Sequence, residues 1–218
     1  MLYDKHLKKI QMILSFLKHR PKAKAIKNNM YLPWLELDIK VPTKNIMTEF
    51  ENVKDQVVKH RSKDQLLNQT HKGWNSLTIH GIDSITTEAK DGVHTWTSVA
   101  DQCPNTKQWI EQNFIINKQT GRIRFMYLEP GGWILPHKDR DAHKLYEINV
   151  AITNPVGCVF RMLERGNIPF AQGKAFIIDT ANKHMIHNDS DQPRLHIILH
   201  TDIDDKVIER SYANCYYS

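Results

Sequence analysis

A chain of 218 residues, 40% apolar and 25% charged, is long enough to bury a core without metal or disulfide staples, which excludes the disordered and fibrous classes. Three cysteines, Cys103, Cys158 and Cys215, cannot complete a disulfide framework, so a reducing, cytoplasmic setting is expected. The net charge of +6 sits wholly in residues 1–60, with 12 Lys/Arg against six Asp/Glu, whereas residues 61–218 balance at 18 of each.

Along the first sixty residues the pattern is helical and basic. Leu7, Ile10, Leu14 and Leu17 form one stripe of a 3.6-residue period. The apolar stretch Ile10–Leu17 spans only eight residues, runs into His19-Arg20-Pro21-Lys22 and has no small-residue cleavage site, so no signal peptide is expected. No apolar run approaches the roughly 18 residues of a membrane span. A second helix is expected from near Thr43, an N-cap after Pro42, burying Ile46, Phe50, Val53 and Val57. Both helices read as core-packed with lysines to solvent. A basic arm for nucleic acid is the alternative, but no aromatic interleaving or nucleic-acid motif accompanies it, so nucleic acid is not an expected partner.

From about residue 74 the texture changes to short strand-like runs. Strands are predicted near Ser76–Ile79, Ile123–Leu128, Trp133–His137, Tyr146–Thr153, Cys158–Leu163, Ala175–Ile178, Met185–His187 and Arg194–His200, with a helix over Thr106–Asn113. Turn signals separate them at Pro130-Gly131-Gly132, Asn154-Pro155-Val156-Gly157, Arg165-Gly166-Asn167 and Asp191-Gln192-Pro193. Many short strands at close spacing argue for a sandwich or jelly roll rather than a βαβ sheet. No phosphate-cradling glycine loop and no Gly-x-Ser-x-Gly elbow is present.

Six of the twelve histidines lie between residues 137 and 200. On a strand, residues i and i+2 face the same side, so His-x-Asp delivers an imidazole and a carboxylate together. A third ligand from a distant strand then completes a two-His-one-carboxylate triad, which leaves one face of non-haem Fe(II) open. Three copies of His-x-Asp occur, beginning at His137, His187 and His200. The copy at His200 has no histidine after it, and that at His187 has too little chain left for intervening strands. Only His137-Lys138-Asp139 is followed by some 45 residues and three predicted strands before the next candidate histidines.

The stretch from Gly121 through Pro130-Gly131-Gly132 to His137-Lys138-Asp139 resembles the first ligand segment of the aspartyl/asparaginyl β-hydroxylase family. His184-Met185-Ile186-His187 through Arg194-Leu195-His196 is similar to its second segment. Ile152–Phe160 and Gly173–Asp179 resemble core strands between them, and the likeness runs over roughly residues 74–202. The resemblance implies a mainly β fold with flanking helices around a double-stranded β-helix, a jelly-roll, cupin-like core. Residues 61–218 would be that oxygenase domain and residues 1–60 a basic helical segment packed on it, within a single structural domain. It also implies Fe(II) and 2-oxoglutarate as cofactor and co-substrate, with dioxygen as co-reactant.

The family places the distal histidine ten residues before the arginine that opens the last core strand, which selects His184 over His187. By resemblance, His137, Asp139 and His184 are the catalytic metal ligands. Arg194 then takes the distal carboxylate of 2-oxoglutarate through its planar guanidinium. Alternation predicts that Arg194, His196 and Ile198 line the barrel interior while Leu195, Ile197 and Leu199 pack under the helices. Where the family often carries Arg-x-His, this chain has Glu147 and Asn149, so either Asn149 alone hydrogen-bonds the co-substrate there or this branch handles a different substrate, and His196 is a further candidate co-substrate contact.

The implied activity is hydroxylation of an unactivated C–H on an amino-acid or peptidyl Asp/Asn-type side chain, with 2-oxoglutarate converted to succinate. A free amino acid of the proline type and a non-catalytic jelly-roll binding module are the alternatives. A zinc hydrolase on the same triad is disfavoured, because Arg194 would then lack a carboxylate to bind. Trp133, Tyr127 and Phe160 are candidates for the substrate mouth or for simple core, and the loops at 80–105 and 138–145 are expected to decide substrate choice.

Overall fold

The computed structural model describes residues 21–63, 69–88, 92–119 and 121–216. The expected first helix, with Leu7 through Leu17, lies outside them. Helix α1 (Ala23–Lys27) leads to strand β1 (Trp34–Glu36), so the stretch between the two predicted helices contributes a strand. Helix α2 (Thr43–Val53) buries Ile46, Phe50 and Val53 completely, as the periodicity predicts. Thr43 is its first helical residue rather than its cap, and Val57 lies beyond a short 3-10 turn, only partly buried.

The sheet follows as β2 (Val58–Lys59), β3 (His71–Gly81), β4 (Thr95–Trp96), β5 (Ile123–His137), β6 (Glu147–Ala151), β7 (Cys158–Met162), β8 (Gly166–Asn167), β9 (Ala175–Ile178), β10 (His184–Asn188) and β11 (Arg194–Leu199). Helices α3 (Ser98–Gln102), α4 (Pro104–Asn113) and α5 (Asp205–Tyr216) complete the chain. All strand pairs are antiparallel, in the order β1-β9-β6-β11-β5-β10-β7-β8, with β3 also on β5. This curled sheet is the jelly-roll core expected from many short strands.

Two predicted strands and the turn between them are one strand, β5. Its first half pairs with β11 and its second with β10, while β3 follows both. Pro130-Gly131-Gly132 makes a corner in the strand instead of a hairpin. Gly131 adopts φ 66°, and a Cβ on Gly132 would come within 2.8 Å of the Glu129 carbonyl oxygen and 3.0 Å of that of Lys72. The glycines therefore let β5 bend from one wall of the barrel into the other.

The bend separates two apolar layers. Leu195, Ile197 and Leu199 join Ile46, Phe50 and Val53 of α2 in the layer beneath the helices. Leu128, Phe160, Phe170, Phe176 and Ile186 fill the inside of the curl. The alternation read along β11 is thus the partition found.

Glu49 links the helices. Its buried carboxylate accepts from the Asn105 and Thr106 amides at the start of α4, at 2.7 and 2.8 Å, and from both of those side chains. Burial alone would raise this carboxyl, but the hydrogen bonds hold it below its ordinary 4.5. Its contribution is therefore present above pH 4.5 and is lost as pH falls through the lower folded value. Glu49→Ala is expected to cost about 2 kcal/mol in urea unfolding at pH 7. An unchanged midpoint would show that water serves α4 equally well.

Candidate active site

Sheet register brings the expected ligands together. On β5 and β10, His137 and His184 are direct cross-strand partners in the wall of a cavity of about 430 Å³. The turn after β5 carries Asp139 back between them, held by its amide donating to the Thr180 carbonyl at 3.1 Å. Asp139 Oδ1 lies 3.3 Å from His137 Nε2, and its Oδ2 lies 3.6 Å from His184 Nε2. One donor atom from each of the three residues falls within 4.8 Å of the others.

The backbone sets the tautomer of both imidazoles. His137 Nδ1 is 2.8 Å from the Leu135 carbonyl oxygen and His184 Nδ1 is 3.0 Å from that of Asn182. A carbonyl only accepts, so each Nδ1 carries a hydrogen, and Nε2 is the nitrogen that faces Asp139 and that a metal would take in place of a proton. Burial pulls the His137 pKa down, but the Asp139 hydrogen bond and charge lift it above its ordinary value. His184 stays below its ordinary value through burial and the neighbouring His137. Burial would raise Asp139, yet the two histidines hold it low and ionised. Two imidazole nitrogens and one carboxylate around a common point, with Asp139 on the open side, form a donor set that fits a divalent cation.

His187, the nearest sequence competitor, is paired opposite Trp133, with its Nε2 3.4 Å from Asp189 Oδ2. It stands outside the cluster. His200 does reach the cavity wall, although it is no part of the donor set.

Arg194 is completely buried inside the curl, with its guanidinium 4.6 Å from the Phe170 ring centroid and 5.6 Å from that of Phe160. None of its three guanidinium nitrogens meets a hydrogen-bond acceptor among the described residues. Burial lowers its pKa to about 10, so it remains a cation at neutral pH. Asn149 and His196 line the cavity from β6 and β11. Burial and Arg194 keep His196 neutral, well below its ordinary range, with Nδ1 unpartnered among the described residues.

Glu147 stands where a cation was expected, and its charge is already occupied. The carboxylate accepts from Thr180 Oγ1 at 2.6 Å and from Arg140, which stacks on Tyr146. Burial raises its pKa against those partners. Together with the His143–Asp179 pair at 2.7 Å, this contact ties the Asp139 loop to β6 and to the end of β9. Of the aromatic candidates, Phe160 lines the cavity, while Tyr127 lies on the opposite face against Phe50.

Arg122 and Arg124 were not singled out from the sequence, yet both line the cavity. The signal was present in Arg122-Ile123-Arg124-Phe125, where charge alternates with apolar residues along a strand. Among the described residues, no helix is long and apolar enough to cross a membrane.

A sequence profile described as Aspartyl/Asparaginyl beta-hydroxylase matches residues 42–204. Comparison with curated proteins gives no match. Among solved structures, the fold is similar to a prolyl hydroxylase from Trichoplax adhaerens in complex with a hypoxia inducible factor peptide fragment. That likeness has TM-score 0.55 and 11% identity, covering 88% of this chain and 92% of the other. A Pseudomonas putida prolyl-4-hydroxylase gives TM-score 0.50 and 13% identity, covering 84% of this chain and 98% of the other. Both likenesses are of fold. With the profile spanning both ligand segments and most of the sheet, the chain belongs to the aspartyl/asparaginyl β-hydroxylase family of Fe(II)- and 2-oxoglutarate-dependent hydroxylases.

Proposed function

We propose that this protein hydroxylates a C–H bond of an amino-acid or peptidyl side chain, of the Asp/Asn type, with His137, Asp139 and His184 holding Fe(II). Bound there, the metal and 2-oxoglutarate supply oxidative chemistry: R–H, O₂ and 2-oxoglutarate give R–OH, succinate and CO₂. The chain's own part is geometric and electrostatic. The Leu135 and Asn182 carbonyls fix the imidazoles, and the Arg140–Glu147–Thr180 contacts hold the loop that presents Asp139. Arg194 draws the distal carboxylate of 2-oxoglutarate to the foot of the cavity, where Phe160 and Phe170 exclude water. Asn149 and His196 flank the co-substrate on the neighbouring strands.

The observation that carries this reading is the pairing of a three-donor cluster with a fully buried guanidinium that has no acceptor, both within one curl of sheet. A binding module would have no need of that cation, and a buried unpaired charge costs several kcal/mol. The test is anaerobic addition of Fe(II) and 2-oxoglutarate, which should give a weak visible absorbance band in the wild-type protein and none in His137→Ala/Asp139→Ala. Succinate release over a panel of Asp, Asn and Pro peptides and the free amino acids then separates peptidyl from free substrates. An unchanged band in the double variant would overturn the ligand assignment.

A further inference from the structure

The cavity is lined by a cationic pole distinct from the buried Arg194. Arg124 lies on β5 across from Ile198, four residues along β11 from Arg194, and so about 13 Å away along the strand. Arg122 lies beside it, its carbonyl accepting from the His200 amide at 2.9 Å. Arg124 is buried and close enough to Asp139 to feel its charge, which places this pole near the metal-binding end. Along β11, the cavity-lining His196 lies between Arg194, buried against Phe160 and Phe170, and the Arg122/Arg124 pair.

Neither arginine is neutralised from within. Arg124 Nη1 donates to the Thr87 carbonyl at 2.9 Å, but its Nε and both Nε and Nη1 of Arg122 are buried without an acceptor among the described residues. Of the carboxylates lining the cavity, Glu147 is committed to Arg140 and Thr180 and Asp139 to the two histidines, while Glu88 lies exposed beside Thr87 and makes no ion pair with either arginine among the described residues. Burial and these arginines together drive His200 down to about 3, so it stays neutral and adds an uncharged wall. Burial lowers Arg124 only to about 9, so it remains a cation at neutral pH. Two guanidinium groups short of acceptors, Arg124 buried and Arg122 half-buried, are the arrangement that binds a carboxylate or phosphate through forked hydrogen bonds.

We propose that Arg122 and Arg124 form an anion subsite that holds a carboxylate or phosphate group of the primary substrate beside the metal cluster. This rests on the reading of Arg194 as the co-substrate anchor, because Arg194 then accounts for the distal carboxylate of 2-oxoglutarate and leaves the second pole for another anion. With Glu147 in place of a cation on β6, β5 supplies the positive charge at the substrate end. The resulting preference is for a side chain or terminus carrying negative charge over its neutral isostere.

The test uses the metal-free protein, so that its outcome is independent of turnover. Isothermal titration is run with N-acetyl-L-aspartate, the uncharged N-acetyl-L-asparagine α-amide, O-phosphoserine and inorganic phosphate, against wild type, Arg122→Gln, Arg122→Gln/Arg124→Met and Arg194→Met, with melting curves confirming that each is folded. The expected result is binding of N-acetylaspartate or of the phosphate compounds, whichever source the subsite takes, to wild type and Arg194→Met alike. The asparagine derivative should bind at least tenfold more weakly, and the double variant should lose at least tenfold in anion affinity. The milder Arg122→Gln should lose a smaller share, which keeps the test open if the double variant does not fold. Three results would overturn the proposal: anion binding that disappears in Arg194→Met, equal binding of the aspartate and asparagine derivatives, or no anion binding to wild type. If the visible band described above fails to form but anion binding follows the Arg122/Arg124 pattern, the oxygenase assignment fails and the subsite stands.

Discussion

Arg194→Met is expected to abolish 2-oxoglutarate binding while raising the melting temperature of the ligand-free protein by about 5 °C. The guanidinium is wholly buried against Phe160 and Phe170, and none of its nitrogens has an acceptor among the described residues. Replacing such a charge with an apolar group of similar volume removes a desolvation cost, and gains of about 1–4 kcal/mol are typical. In a chain of this size each kcal/mol is worth roughly 2–4 °C. The lost function and the gained stability have one cause, a cation kept in an apolar curl for the sake of an incoming carboxylate. Differential scanning calorimetry and titration with 2-oxoglutarate read the two effects separately. A variant that melts lower and still binds the co-substrate would show that Arg194 is a structural residue.

His184→Ala and His187→Ala should differ by at least about 100-fold in Fe(II)-dependent succinate formation, although the residues lie three apart on one strand. His184 faces His137 across the register with its Nε2 toward Asp139, whereas His187 faces Trp133 and turns its Nε2 to Asp189. Loss of a group that merely orients a metal ligand typically costs 10–100-fold, so loss of the ligand itself must exceed that. His187→Ala is expected to stay within a few-fold of wild type, with Fe(II) affinity measured by chelator competition following the same order. Equal losses in both variants would remove the distinction.

Much of the scaffold could be read from residue pattern. Strand β9 coincides with Ala175–Ile178, β10 and β11 differ from the expected runs by one residue at their ends, and the inward face of β11 follows from alternation. The His137-x-Asp139 pair was legible because two residues apart on extended chain point the same way. Elements governed by contacts distant in sequence were less so. Pro130-Gly131-Gly132 has the composition of a turn, and only the approach of the Lys72 backbone on β3 makes it a bend within one strand. The elements predicted from pattern end at His200, but the chain after it forms α5, which lays Ile208 in the core and packs against α1 and β1.

The sequence by itself determined the neutrality of residues 61–218, the period of their strands, the His-x-Asp pair at 137 and 139, and the presence of an arginine on an inward-facing position. The choice between His184 and His187 needed the family's spacing, and geometry alone separates them through the pairing of β10 with β5. Tertiary structure also decided that Glu147 is matched by Arg140, and that Arg122 and Arg124 face the cavity rather than solvent. The physical reason is common to all three: a side chain's charge state and purpose depend on which groups the register sets opposite it. That register is fixed where strands far apart in sequence meet.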